Sequence, residues 1–216
     1  MSDEHSYEIE INNVTKKYSE TVGVFDINIK IKKGEIYGFI GPNGAGKSTT
    51  IRQMVGFIKP DQGNITINNK DAWNESKEIM SILGYLPGEN ILPDYMKAIN
   101  YLKLVSDIRG NVEWTYVEKL INYFELNPKV KIKKMSKGMK QKVALITACM
   151  HKPKILILDE PTSGLDPLMQ EKFLKIIKDF RNNGTTIFLV PIFLVKLKRL
   201  LIKLLLLNQE KLYLKL

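Results

Sequence analysis

Ile36-Tyr37-Gly38-Phe39-Ile40, followed at once by Gly41-Pro42-Asn43-Gly44-Ala45-Gly46-Lys47-Ser48-Thr49, is the stretch on which the reading of this chain turns. A short, continuous apolar run is what a strand buried on both faces requires. Gly41 to Ser48 then matches G-x-x-x-x-G-K-[ST], and a helix is expected from about Lys47 to Val55. Glycines let the main chain curl so that successive N–H groups point inward at phosphate oxygens. The helix that follows adds its positive N-terminal end. Lys47 is expected to neutralise β- and γ-phosphate charge, and the Ser48 hydroxyl to ligate Mg²⁺. The loop predicts nucleotide binding without saying which class of NTPase it serves.

A second apolar run, Ile155-Leu156-Ile157-Leu158, ends in Asp159-Glu160. Such a strand delivers two carboxylates to its C-terminal end, where ligands bind in open α/β sheets. Asp159 is expected to hold Mg²⁺ through water, and Glu160 to polarise the water that attacks the γ-phosphorus. A third run, Thr185 to Val190, reads as another buried strand. Tyr7 to Ile11 and Val24 to Ile31 alternate in the manner of strands, with Phe25, Ile27, Ile29 and Ile31 expected on one face, and Asn64 to Asn68 is a further strand. Between Ile91 and Met150 the pattern is helical, and Leu168 to Phe180 is a further helix. Strands alternating with helices predict an α/β fold with a mainly parallel sheet. An antiparallel part lies on its N-terminal side, and a helical insertion interrupts it.

The chain has 216 residues, 44% of them hydrophobic, enough for a buried core in one large domain. One cysteine, Cys149, excludes an internal disulfide framework and fits a reducing cytosol. The polar start from Met1 to Glu10 does not resemble a signal peptide. The net charge of +10 invites a nucleic-acid reading. Much of it is concentrated after Val195, where Lys196, Lys198, Arg199, Lys203, Lys211 and Lys215 face only Glu210. A solvated basic surface is therefore expected, with lipid headgroups as the next alternative and no nucleic-acid partner. His5 and His151 do not read as catalytic, Cys149 reads as core, and Trp73 and Trp114 read as packing.

From Tyr7 to Leu189 the chain resembles the ATP-binding subunits of ATP-binding cassette (ABC) transporters, and more narrowly those of bacterial drug and antibiotic exporters. The resemblance rests on GPNGAGKST and on LDEPTSGLDP, Leu158 to Pro167. It also rests on Met135-Ser136-Lys137-Gly138-Met139 about twenty residues before the acidic pair, and on Tyr85-Leu86-Pro87. It implies a P-loop NTPase fold binding ATP and Mg²⁺, with a helical subdomain at about 91–150. It places Asp159 on magnesium and Glu160 as catalytic base. Ser136 and Gly138 are implied to reach the γ-phosphate bound by a second ATP-binding subunit, and Asp166 lies in the loop that meets that subunit. Tyr18 falls where an aromatic ring stacks on adenine. The implied working unit pairs the chain with a second ATP-binding subunit, expected to be a second copy, at the inner face of the cell membrane. It would drive a separate membrane-spanning subunit.

Three departures are visible. Lys137 and Met139 replace a glycine and a glutamine of the usual LSGGQ. Gly88-Glu89 stands where a glutamine is expected, so Glu89 is a further candidate for magnesium or its water. After Leu189 the family continues Ser-Ser-His, the histidine binding the γ-phosphate, whereas this chain reads Val190-Pro191-Ile192 and a basic, leucine-rich 190–216. Two readings stay open for that tail. One is a basic amphipathic helix on a membrane. The other is a shifted reading frame, since one added base lets the same stretch be written Ser-Ser-His-Ile-Pro-Ser-Glu-Val-Glu. Its apolar stretch is too short to span a bilayer, which needs about 20 residues. Without the histidine, ATP binding is expected to persist and hydrolysis to weaken. A cassette protein acting on ribosomes or DNA is a rival, but the second cassette or long coiled-coil insertion usual there is missing.

Overall fold

The apolar runs that begin at Ile36, Ile155 and Thr185 form neighbouring strands of one parallel sheet. A computed structural model describes residues 7–191 of the chain. In chain order the elements begin with β1 (Tyr7–Lys17), β2 (Gly23–Lys32), β3 (Ile36–Gly38) and α1 (Lys47–Met54). Next come β4 (Gln62–Ile67), β5 (Lys70–Asp71), α2 (Ser76–Ile82) and β6 (Leu83–Leu86). The helical block holds α3 (Ala98–Arg109), α4 (Trp114–Tyr123) and α5 (Lys137–Cys149), with a 3₁₀ turn at Ile132–Lys134. The chain then returns to the sheet through β7 (Ile155–Asp159), α6 (Pro167–Asn182) and β8 (Thr186–Val190).

Two four-stranded sheets result, an antiparallel one in the order β2-β1-β4-β5 and a parallel one in the order β3-β8-β7-β6. The expected division into parallel and antiparallel parts holds. Strand β6, its preceding helix α2 and the short β5 carried too little periodicity to be read beforehand. Strands β7 and β8 are buried on both faces, as their unbroken apolar sequence requires. Leu156, Leu158, Ile187 and Leu189 enter the core shared with helices α3 to α6. Ile155, Ile157, Phe188 and Val190 enter a second core against β1, β2, β4 and α1. Cys149 is 1% exposed, and burial pushes its thiol up to about 12, in keeping with a core residue.

The alternation of β2 differs from expectation. Val24 is buried and Phe25 is 43% exposed. The cause is local: Asp26 takes φ 47, and the β1–β2 register shifts between Ile11 and Lys16. Between the pairs Val14–Ile27 and Lys16–Val24, β2 uses one residue more than β1, and that extra residue exchanges its two faces. Trp114 packs on the core, but Trp73 is 40% exposed and does not. Among the described residues no helix is long and apolar enough to cross a membrane. The tail residues 192–216 expected to be either amphipathic or frame-shifted lie outside the described residues.

Candidate functional site

The loop between β3 and α1 curls through two left-handed glycines, Gly44 at φ 81 and Gly46 at φ 78. Gly46 is also the N-cap of α1, and its carbonyl accepts from Thr50 N (2.8 Å) and Thr50 Oγ1 (3.1 Å). A Cβ there would meet Val24 Cγ2 at 2.3 Å, so space as well as conformation demands glycine. Pro42, Asn43, Gly44 and Ala45 are exposed, while Gly41, Gly46, Lys47 and Thr49 are partly buried. Lys47 Nζ donates to the carbonyls of Gly41 (2.8 Å) and Pro42 (2.7 Å), arching its ammonium over the loop.

Strand β7 brings the acidic pair to this loop. Ser48 Oγ donates to Asp159 Oδ2 at 2.8 Å, joining residues 111 positions apart. Asp159 is 5% exposed. Burial holds its carboxyl above the usual carboxylate range, opposed by the Ser48 hydrogen bond and by the charges of Lys47 and Arg52. A hydroxyl and a carboxylate at this spacing, both hard oxygen donors, form a donor set that fits Mg²⁺. Glu160 follows in an uncommon state for a non-glycine residue, φ 49. Its N–H donates to Val190 O (2.8 Å), and its carbonyl accepts from Ser163 N (3.1 Å). Because β8 lies between β3 and β7, Val190 ends beside both the loop strand and the acidic pair.

The other expected residues lie at different distances from this centre. A Cβ on Gly88 would stand 3.1 Å from Asp159 Oδ2, so the segment after β6 abuts the acidic strand end. Glu89 itself is exposed, and among the described residues no group of three or more His, Cys, Asp or Glu side chains could hold a metal. The structure therefore does not gather Glu89 with Asp159 and Glu160. Tyr18 is 56% exposed in the β1–β2 turn, where its N–H donates to Val22 O. The strand leaving that turn contacts the loop at Gly46 through Gly23 and Val24.

Ser136 caps α5, its Oγ accepting from Met139 N at 3.2 Å. Asp166 caps α6 in the same way through Met169 N at 2.9 Å. A Cβ on Gly138 would meet Gly164 O at 2.6 Å, so the start of α5 packs tightly on the loop after β7. His151 is half-buried, with Nε2 3.1 Å from Leu83 O. Burial, then the charge of Arg109, lowers its pKa to about 4 against the pull of the Leu83 contact.

Two residues were not singled out in advance. Arg52, a turn along α1 from Ser48, lends its charge to Asp159. Gln141, noted only as part of a helix, is 2% exposed and hydrogen-bonded to the loop after β7. A polar residue followed by the apolar Val143 to Met150 was the available signal, but its partners are remote in sequence.

The profile of the ABC transporter family matches residues 24–163. The bacitracin transport ATP-binding protein BcrA of Bacillus licheniformis is 34% identical over 195 residues, 89% of this chain. The chain spans 64% of that protein's length. Among solved structures, an ATP-binding subunit of an ABC transporter superposes with TM-score 0.82 at 28% identity, over 90% of this chain and 82% of the other. A bacterial ABC transporter cassette solved as a dimer gives TM-score 0.76 at 25% identity, covering 88% and 90%.

Proposed function

Since the chain belongs to the ABC transporter family, we propose that it is an ATP-binding and ATP-hydrolysing subunit that powers a separate membrane-spanning subunit by closing against a second such subunit. The observation that carries this reading is the Ser48–Asp159 hydrogen bond. It brings the phosphate loop and the strand-end carboxylate, remote in sequence, to one point. Gly41 to Thr49 would wrap the triphosphate with main-chain N–H groups, and Lys47 would turn from the Gly41 and Pro42 carbonyls to phosphate oxygens. Ser48 and Asp159 would hold Mg²⁺, whose charge offsets that of the β- and γ-phosphates. Glu160 orients and polarises the attacking water. Tyr18 offers a ring to the base, and Glu89 remains within the segment that abuts Asp159.

Ser136 and Gly138 lie at the N-terminus of α5, and Asp166 caps α6 at the end of the loop packed against it. That grouping suits contact with a triphosphate held by a facing subunit, and the dimeric cassette of similar fold supports such pairing. Localisation follows as peripheral, at the inner face of the cell membrane. The similarity to a bacitracin transport protein supports the exporter type.

Purified chain assayed for ATP binding and phosphate release tests the reading. Lys47→Ala should weaken both, turnover by about 100-fold or more. Unchanged binding would refute the site. A second reading, a subunit that binds ATP but turns it over weakly, is favoured by Val190-Pro191, because β8 delivers these residues beside the acidic pair. Slow single-turnover hydrolysis with tight binding would select it. The gene sequence around codon 190 tests the shifted frame: a one-base change must restore Ser-Ser-His.

A further inference from the structure

Glu160 occupies the left-handed region at φ 49, a conformation that a non-glycine residue keeps only where its surroundings impose it. One buried side chain lies against that loop from the helical block. Gln141 of α5 is 2% exposed, and its amide makes contacts in opposite directions. Nε2 donates to Pro161 O at 2.9 Å and lies 3.4 Å from Glu160 O. Oε1 accepts from Asn90 Nδ2 at 2.6 Å. The amide thus links three segments distant in sequence: α5, the stretch after β6 that abuts Asp159 through Gly88, and the loop carrying Glu160.

We propose that Gln141 is a positioning residue, which holds Glu160 in its left-handed conformation and ties it to the segment around Asn90. Glutamine suits the task because it alone combines a donor, an acceptor and this reach. Glutamate keeps the acceptor for Asn90 but sets a carboxylate against two carbonyls. Leucine keeps the volume and loses both contacts. A displacement of the Asn90 segment would therefore be felt at Glu160 through one side chain. The consequence for turnover rests on Glu160 being the hydrolytic base proposed above; the positional claim does not.

Gln141→Glu and Gln141→Leu, made in the full chain, separate the two. Amide hydrogen exchange reads the position, and kcat, KM and ATP affinity read the consequence. Both variants should speed exchange in residues 160–165 and in 87–91 together, with slower exchange retained in β7 and β8. kcat should fall about 10- to 100-fold while KM and ATP affinity stay within about twofold. Gln141→Glu should retain more protection around Asn90 than Gln141→Leu. Unchanged exchange in 160–165 overturns the proposal. So does a loss of protection spread evenly over the sheet, which marks general destabilisation. Wild-type chain that binds ATP without hydrolysing it overturns the role given to Glu160, and the exchange experiment still decides the role of Gln141.

Discussion

The loop before α1 and the loop after β7 meet at the Ser48–Asp159 hydrogen bond, and they are built differently. The first is shaped by nine consecutive residues: two left-handed glycines, a lysine folded over the turn and a helix start. The second is held from outside. Val190 secures the N–H of Glu160, Gln141 the carbonyl of Pro161, and Gly138 packs on Gly164. The geometry of the first loop therefore travels with a contiguous motif, while the placement of Glu160 depends on helices and strands elsewhere. Substitutions in the first loop should disturb affinity, and substitutions around the second should disturb turnover.

The strongest separation is expected from Glu160→Gln, which should lower turnover about 10²- to 10⁴-fold while ATP still binds. Phosphate release measured beside equilibrium binding checks this. Equal losses in both would merge the two regions into one. Next in size is an acid effect at the opposite end of β7. His151 is neutral in the fold with its pKa near 4, whereas the unfolded chain takes up a proton from about pH 6.5 downward. Its stabilising contribution is present above that pH and is lost as pH falls, by about 3 kcal/mol at pH 4. His151→Gln should flatten this part of a melting-temperature profile.

Two glycines of the first loop sharpen the local side of the comparison. Gly46→Ala should cost about 1–3 kcal/mol, because strain and collision with Val24 add. Gly44→Ala has the same sign of φ but nothing within 4 Å, so about 1 kcal/mol of strain is expected. Thermal melts of the pair rank these costs. The smallest effect on stability is expected from Asp159→Asn, which removes a carboxylate that burial disfavours. In Mg²⁺-free and nucleotide-free buffer its melting temperature should rise, while ATP turnover is lost.

The same contrast explains what could be read from the residues alone. Ile36 to Thr49 and Ile155 to Glu160 carry their structure in local order, so strand, loop and carboxylates were legible. Ser136 and Asp166 were legible as positions, but their hydroxyl and carboxylate turned out to cap helices as well. Phe25 was assigned to the wrong face because the bulge near Asp26 depends on the partner strand. Gln141 was not legible because both its partners, Asn90 and Pro161, are set by tertiary packing.

Strand order has a further consequence during synthesis. Among the described residues β3 pairs only with β8, whose first residue lies 150 positions after Ile36. At about 5–20 residues per second the loop strand must wait roughly ten seconds or more on the ribosome for its neighbour. Until then it is a short apolar edge, a natural client for chaperones. The loops joined by Ser48 and Asp159 therefore gain the strand that lies between theirs only when the last described strand has cleared the exit tunnel.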